Sequence, residues 1–388
     1  MLLSAIVFAT CYGIASGIHT ILLKKHIELE KISFSTFQSN VDYYKDSLES
    51  YLRGLSEAKF DKNVEYSGFI GLGDPQQIFM MYFDTSFSGL WVISNDCNWS
   101  YYVCYKKKHK YEKERSFSYQ PDNYTGYGNY GQIKGQSLSI EGFFVLDTLW
   151  LDNSNDASDQ QFLAATTFCT DSFLCMLDAS LIPDGLFGLG FPSSDVMMGP
   201  PFLTVLDRGL ISSPSFSLYI NRTNGYGELI IGGIKKNYYD GDSLNFVNIY
   251  NKTKTWTIDI KSVTLDESEL CHHKCTVIID TGTSIIAVPL DVLKTIYKIL
   301  KIDTPNPERL VPIPCDNITI LPTLTFHIED TAYNISGKDY VIQLSDICVI
   351  GFMENRNSNQ WVLGYLFLKN FYTIFNYGTR QIGLANTK

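Results

Sequence analysis

The chain has 388 residues, of which 45% are hydrophobic, and it carries a formal net charge of −10 at pH 7. A chain of this length can bury a large core, and its length favours two domain-sized units. The negative charge argues against nucleic acid or an anionic membrane surface as the partner, because both would repel it.

Residues 1–17 are predicted to be a secretory signal peptide. Residues 2–17 are apolar and uncharged, and Ala15, Ser16 and Gly17 offer the small side chains of a cleavage site, although no Lys or Arg precedes the apolar run. A membrane anchor is disfavoured because the run is shorter than the about 20 residues that a spanning helix needs. We therefore expect a protein without a membrane anchor that is secreted or delivered to a lysosomal or other acidic lumenal compartment.

Residues 18–62 differ in character from the rest of the chain. Residues 22–26 combine apolar and basic side chains, and residues 41–55 carry apolar and charged side chains at helical spacing. These patterns alone favour a helical hairpin on the surface.

From residue 63 onward the chain is predicted to be all-β. Short runs of strand-forming residues alternate with Gly, Asn and Asp, and the chain contains 25 Tyr and 24 Phe. Helical patterns are few, and the better ones cover residues 201–206 and 290–300.

Two stretches of this β-rich region have nearly the same sequence pattern. Residues 277–279 read as a buried strand that ends at Asp280-Thr281-Gly282, and residues 80–83 read as a strand that ends at Asp84-Thr85-Ser86. A lone Asp-Thr-Gly is most simply a structural turn. Here, however, each stretch is also followed later by an apolar run that ends in Gly, at residues 184–190 and 361–364. This internal repeat predicts two half-chains that each present one aspartate.

Two carboxylates brought together cannot both ionise readily, so Asp84 and Asp280 would share a proton. One could then act as a base towards a water while the other acts as an acid towards a carbonyl. Pepsin is the known example of such a pair, and at this point the chain resembles the pepsin-like aspartic proteases.

The resemblance runs from about residue 63 to the C-terminus. Residues 63–77 resemble the opening of a mature pepsin-like enzyme, and Leu90-Trp91-Val92 follow the first aspartate as in the family. The short segment 271–275, with a cysteine at each end, resembles a small family disulfide loop, and residues 371–385 resemble the family's C-terminal end.

The resemblance implies an all-β, bilobal pepsin-like fold, with a cleft between two β-barrel-like lobes. Residues 63–236 would form the N-terminal lobe with the first aspartate and a flap, and residues 237–388 the C-terminal lobe with the second. Residues 18–62 would be a propeptide whose basic residues pair with the catalytic carboxylates and block the cleft.

The resemblance also implies roles for individual residues. Asp84 and Asp280 would bind and activate water, and Thr85 and Thr281 would brace the two loops. The residues expected to support them are Gly282, Thr283, Ser88 and Trp91.

The family closes a flap over its substrate with a Tyr-Gly pair, which is expected here between residues 119 and 142. Tyr127 and Gly128 are the candidates, and Tyr130 is the alternative tyrosine. An ordinary Tyr/Gly-rich loop explains the composition equally well, because the span before Phe143 is several residues longer than in the family.

The chain departs from the family beside the first aspartate. Active relatives usually carry Gly and Ser where this chain has Ser86 and Phe87. Their Gly allows close approach of the backbone to substrate, and their Ser donates a hydrogen bond to the aspartate. Asp84 is therefore expected to lack a hydrogen bond worth about 1.5–3 kcal/mol. Tyr365 and Asn376 also stand where the family usually has aspartates.

Two functions remain open from the sequence. The first is an aspartic endopeptidase, made as a zymogen, that cleaves peptides or proteins between apolar residues. The second is a catalytically inactive relative that uses the cleft to bind a peptide or another ligand. We expect a monomer, no nucleic-acid partner, no cofactor and no metal.

Nine cysteines become eight once Cys11 leaves with the signal peptide, and an even number in a secreted chain favours disulfides. Sequence alone allows 105 pairings. The expected pairs are Cys97–Cys104, Cys169–Cys175, Cys271–Cys275 and Cys315–Cys348. The second pair rests on proximity, whereas the other three resemble family bridges. Zinc at residues 271–275 is a disfavoured alternative.

Six Asn-X-Ser/Thr motifs favour N-glycosylation at several sites of a secreted chain. The acceptor residues are Asn98, Asn123, Asn221, Asn251, Asn317 and Asn334.

Overall fold

The structure is a computed structural model. It describes residues 17–25, 66–98, 104, 109–133, 136–152, 156–168, 184–192, 198–222, 226–250, 253–302, 311–344, 347–355 and 358–388. The predictions for residues 1–16 and 26–65, including the contact between the propeptide and the cleft, lie outside the described residues.

Most of the described chain is strand. The strands of the first half are β1 His19–Lys25, β2 Tyr66–Leu72, β3 Gln77–Asp84, β4 Leu90–Ile93, β5 Gln120–Ile133, β6 Gln136–Trp150, β7 Asp156–Phe168, β8 Gly185–Gly188, β9 Ser215–Ile220 and β10 Tyr226–Ile231. Those of the second half are β11 Asn245–Asn248, β12 Thr257–Leu265, β13 Ser268–Ile279, β14 Ile286–Val288, β15 Val311–Ile313, β16 Leu324–Ile328, β17 Thr331–Ile335, β18 Val341–Leu344, β19 Ile347–Ile350, β20 Phe352–Glu354, β21 Trp361–Leu363, β22 Phe371–Asn376 and β23 Gln381–Asn386.

Helices are short and few in the described residues. The α-helices are α1 Pro201–Asp207, α2 Leu290–Ile299, α3 Gly337–Tyr340 and α4 Tyr365–Leu368. The 3-10 helices are Lys113–Arg115, Lys236–Tyr238, Gly241–Ser243 and Cys315–Ile320. Helix α1 has a proline in its first turn, where no amide donor is needed, and α2 buries one face at Val292, Leu293 and Ile296. Both predicted helices are confirmed.

The described strands form three sheets. The largest has 13 strands in the order β11-β23-β22-β9-β10-β1-β2-β3-β8-β4-β7-β6-β5, and so joins strands from both ends of the chain. A seven-stranded sheet has the order β17-β16-β12-β13-β21-β14-β20, and a three-stranded sheet has the order β15-β19-β18. The all-β, bilobal pepsin-like fold is confirmed.

The two aspartate-bearing strands have the same surroundings. Strand β3 lies parallel to β8, which pairs antiparallel with β4, and β13 lies parallel to β21, which pairs antiparallel with β14. Thus the apolar runs that end in Gly are the parallel partners of these strands. Gly364, just after β21, must lack a side chain because a Cβ there would lie 2.1 Å from the Thr283 carbonyl oxygen. The repeat seen in the sequence is a repeat of topology.

Residues 19–25 form strand β1 between β2 and β10, so the expectation of a surface helical hairpin is wrong for them. Ile21 and Leu23 of this strand are buried in the main core. The buried His19 places its Nδ1 2.8 Å from the Asp152 carboxylate and its Nε2 3.1 Å from the Leu210 carbonyl oxygen. Apolar burial and polar contacts therefore both anchor β1 in the central sheet.

Three of the four predicted disulfides are present: Cys97–Cys104, Cys271–Cys275 and Cys315–Cys348. The second bond excludes the zinc alternative, because its two sulfurs are bonded to each other. The predicted pair Cys169–Cys175 lies outside the described residues.

The glycosylation motifs are placed as follows. Asn98, Asn317 and Asn334 are exposed, Asn221 is half-buried, Asn123 is in β5 and Asn251 lies outside the described residues. No helix in the described part of the chain is long and apolar enough to cross a membrane.

Candidate active site

Two loops bring Asp84 and Asp280 together at the ends of β3 and β13. Both carboxyl groups are buried, with 4% and 7% of the residue surface exposed. A Cβ built on Gly282 would lie 2.6 Å from both Cγ and Oδ2 of Asp84. The backbone of the second loop therefore lies directly against the carboxyl group of the first.

The two threonines after the aspartates lock the loops to each other. The amide of Thr85 donates to Oγ1 of Thr281, and the amide of Thr281 donates to Oγ1 of Thr85, both at 3.0 Å. Each hydroxyl then donates across to the other loop's strand, from Thr85 to the Ile279 carbonyl at 3.1 Å and from Thr281 to the Phe83 carbonyl at 2.7 Å. These four bonds fix the relative position of the two carboxyl groups.

The second loop gives each oxygen of Asp280 one donor. The Gly282 amide lies 2.9 Å from Oδ1, and the Thr283 hydroxyl lies 2.7 Å from Oδ2. Hydrogen bonds to a carboxylate favour its charged form. This loop therefore holds Asp280 in one orientation and stabilises its negative charge.

The first loop holds Asp84 through a single residue. The amide of Ser86 lies 2.6 Å from Oδ1 of Asp84, and the hydroxyl of Ser86 lies 2.7 Å from the same oxygen. The expectation that Asp84 lacks a hydroxyl donor is therefore wrong. The hydroxyl comes from the second residue after the aspartate instead of the third.

The packing of Phe87 explains why the hydroxyl donor to Asp84 is at residue 86 and not at residue 87. Its side chain is buried in an apolar cluster that also contains Trp91, Ile140, Phe144 and Leu186. A residue that packs into this cluster cannot also reach a carboxylate. The residue before it, which points at the dyad, supplies the polar contact.

The electrostatics of the pair follow from burial and proximity. Burial raises the pKa of Asp84 to about 7, the charge of Asp280 adds to the rise, and the hydrogen bonds from Ser86 oppose it. Burial also raises the pKa of Asp280, and the hydrogen bonds with Thr283 and Gly282, followed by those with Asp84 and Ser86, oppose that rise. The apparent pKa values belong to the pair. Such a pair holds one proton between two carboxyl groups in acid, which is the state that acid–base catalysis requires.

Two residues expected to support the site lie behind the first loop. Ser88 is buried, and its hydroxyl has no hydrogen-bond partner within the described residues, so it does not stand in for the missing serine. Trp91 is buried and packs edge-on against Phe168, with ring centroids 5.8 Å apart.

Tyr365, which replaces a family aspartate, lies beneath the second loop. Its amide donates to the Thr283 carbonyl at 2.8 Å, and its hydroxyl accepts a hydrogen bond from the Tyr66 hydroxyl at 3.1 Å. Sequence reasoning missed Tyr66, because 299 residues separate the two tyrosines and neither stands in a motif that predicts the contact. Asn376, the other replacement, accepts from the Thr379 amide in a turn.

The candidate flap is a long hairpin of β5 and β6. Tyr127 pairs with Glu141 and Tyr130 pairs with Leu138 across its two strands. The long span that the sequence indicated is thus an extended ladder, and the choice of flap tyrosine stays a prediction.

The comparisons with known proteins agree with this geometry. The family described as Eukaryotic aspartyl protease matches residues 65–387. Pepsin A of Bos taurus is 32% identical over 330 residues, which cover 83% of this chain and 84% of that protein. Renin-2 of Mus musculus is 31% identical over 341 residues, covering 83% of this chain and 80% of that protein. The chain therefore belongs to the eukaryotic aspartyl protease family.

Proposed function

We propose that the protein is an aspartic endopeptidase that hydrolyses peptide bonds between apolar residues of a peptide or protein bound in the cleft. One observation carries the proposal: two buried carboxyl groups are held against each other by symmetric threonine contacts, and each receives an amide and a hydroxyl donor from its own loop. A protein that only binds peptides has no need of this arrangement.

The chemistry needs one proton on the pair. The ionised carboxylate takes a proton from a water, whose oxygen bonds to the peptide carbonyl carbon, while the other carboxyl group gives its proton to the carbonyl oxygen. When the C–N bond then breaks, the carboxyl group that took the water's proton gives it to the nitrogen, and a hydroxyl of the intermediate gives its proton to the other carboxylate as the carbonyl re-forms. The carboxyl pair returns to its one-proton state.

One of the reasons for the inactive-relative alternative was the loss of the hydroxyl beside Asp84. Ser86 supplies that hydroxyl at 2.7 Å, so this reason for expecting an inactive dyad no longer holds.

We also propose that the protein is a secreted or lumenal zymogen and that residues 18–62 are its propeptide.

The test of activity uses the purified proprotein after acidification. It should digest a denatured protein, pepstatin should block the digestion, and the pH–rate profile should be bell-shaped or fall steadily towards neutrality. Asp280→Asn should abolish activity, whereas Asp259→Asn, at an exposed aspartate of β12, should not. A maximum near pH 8, or activity that survives Asp280→Asn, would overturn the proposal.

The zymogen is tested separately by N-terminal sequencing. The secreted protein should begin near residue 18, and acidification should produce a new N-terminus between residues 56 and 63. A mature N-terminus before residue 40 or after residue 71 would contradict this assignment of the propeptide.

A further inference from the structure

The two loops distribute their donors differently. In the second loop the amide and the hydroxyl go to different oxygens of Asp280. In the first loop both donors of Ser86 go to Oδ1 of Asp84. Oδ2 of Asp84 is therefore the one oxygen of the four to which no amide or hydroxyl of the described residues donates.

Protonation is disfavoured at an oxygen that accepts two hydrogen bonds, because the donors stabilise its negative charge. The other oxygen of the same group, Oδ2, has no such donor and lies beside the second loop, where a Cβ built on Gly282 would be 2.6 Å from it and 2.8 Å from Oδ1. A hydrogen bond between the two carboxyl groups also raises the pKa of Asp84. Of the two oxygens of Asp84, these contacts leave Oδ2 as the site for a proton, and the hydrogen bond to the Asp280 carboxyl group favours that proton on Asp84.

We propose that Ser86 is a positioning residue of the dyad: by directing its amide and hydroxyl to Oδ1 of Asp84, it reserves Oδ2 for the shared proton. This inference rests on the proposed function and deepens it. Asp84 is then the acid that protonates the peptide carbonyl, and Asp280, with a donor on each oxygen, is the base that deprotonates the water. The hydroxyl of Ser86 does not itself exchange a proton with the substrate.

The kinetic test removes the hydroxyl in two ways. Ser86→Ala keeps the Cβ, and Ser86→Gly also restores the residue usual in active relatives. If the hydroxyl matters, both variants lose about ten- to hundredfold in kcat/KM, the scale of one hydrogen bond to a charged group, and they lose it mainly in kcat. Ser86→Thr should retain activity. Ser243→Ala, which removes a hydroxyl from an exposed 3-10 turn, is the matched control.

The pH profile separates positioning from general damage. Ser86 favours the charged dyad, so its removal raises the pKa of the pair. The limb of the profile towards neutral pH, which reports loss of the last proton, should move to higher pH in both variants and stay in place in Ser86→Thr. Full activity in Ser86→Gly, or an unshifted profile in Ser86→Ala, would overturn the inference.

A second readout does not depend on turnover. The free energy of unfolding of the proprotein, measured from pH 4 to pH 8, records the titration of the buried pair. In Ser86→Ala the fall in stability with rising pH should extend to higher pH than in the wild type. If the wild type has no protease activity, the proposed function fails, while this shift still decides the role of Ser86. An identical pH dependence in both proteins contradicts it.

Discussion

The two aspartate loops share a topology but differ in the side chains they tolerate. The second loop requires glycine at position 282, because any Cβ there would meet the carboxyl group of Asp84. The first loop carries Ser86 at the equivalent place and uses its side chain to bind Asp84. The two copies of the Asp-Thr-Gly motif therefore differ in whether the third residue must be glycine. A substitution of that glycine is tolerated in the first loop but is expected to disturb the site in the second.

The positions after these residues differ as well. Thr283 donates a hydrogen bond to Asp280, whereas Phe87 packs into the apolar cluster beside Trp91. In the first loop Ser86 makes the polar contact with the aspartate and Phe87 packs into the core. In the second loop the side-chain contact with the aspartate comes from Thr283, one position later. The predictions below test this division.

Phe87→Ala should give the largest effect on stability. Phe87 is only 8% exposed, and truncation of a buried phenylalanine costs about 3–5 kcal/mol because it leaves a cavity. Chemical denaturation at pH 5 measures the loss. Thr283→Ala, at the equivalent position, should instead lower kcat about ten- to hundredfold and change stability less. Equal losses of stability in the two variants would contradict the proposed division.

Asp84→Asn should change how stability depends on pH. The folded pKa of Asp84, about 7, lies above the unfolded value of about 4, so its contribution is fully present below pH 4 and is lost as the pH rises to 7. Denaturation at a series of pH values should show this decline in the wild type and a flatter curve in Asp84→Asn. Parallel curves would show that the pair does not hold a proton in the folded state.

Gly282→Ala tests the asymmetry directly. The added methyl group would lie 2.6 Å from the carboxyl carbon of Asp84 and must displace it. A displacement of about 1 Å in a catalytic group costs on the order of a hundredfold in rate. Turnover of a peptide substrate should fall by at least about that factor. Gly241→Ala is the control, since a Cβ there meets nothing within 4 Å. A Gly282→Ala enzyme with near-normal turnover would remove the reason for the asymmetry.

The sequence predicted the elements that repeat or stand close together. The strand that delivers each aspartate, the apolar runs that end in Gly and the two longer helices all follow from patterns within about ten residues. The bond of Cys315 to Cys348 was predicted by resemblance to the family, since its two ends lie 33 residues apart.

What the sequence could not show depends on side-chain direction and distant contacts. The hydroxyl of Ser86 could not be placed, because residue type alone does not say whether a side chain points at the carboxylate or away from it. Residues 19–25 are too short and too mixed in composition to distinguish a strand from a helix. Their partners in β2 and β10 are distant in sequence. The contact between Tyr66 and Tyr365 spans almost the whole chain.

The smallest expected effect concerns the residues that follow the two apolar runs. Leu189 and Tyr365 occupy equivalent places, and each amide donates to its aspartate loop, from Leu189 to the Asp84 carbonyl and from Tyr365 to the Thr283 carbonyl. Only the second carries a hydroxyl, which meets that of Tyr66 at 3.1 Å. A neutral hydrogen bond contributes about 1 kcal/mol, and the cost of losing it rises when a buried partner is left unsatisfied.

Tyr365→Phe should therefore lower the free energy of unfolding by about 1–3 kcal/mol, since the Tyr66 hydroxyl stays buried. Adding Tyr66→Phe should cost little more, because both polar groups are then gone, and a double-mutant cycle measures the coupling. Tyr124→Phe, at an exposed tyrosine, should change stability by less than about 0.5 kcal/mol. If the effects of Tyr365→Phe and Tyr66→Phe simply add, the two hydroxyls do not interact. The difference between the two halves at this position would then lie in the packing of the Tyr365 ring against the Tyr66 ring, with centroids 5.1 Å apart, rather than in the hydrogen bond.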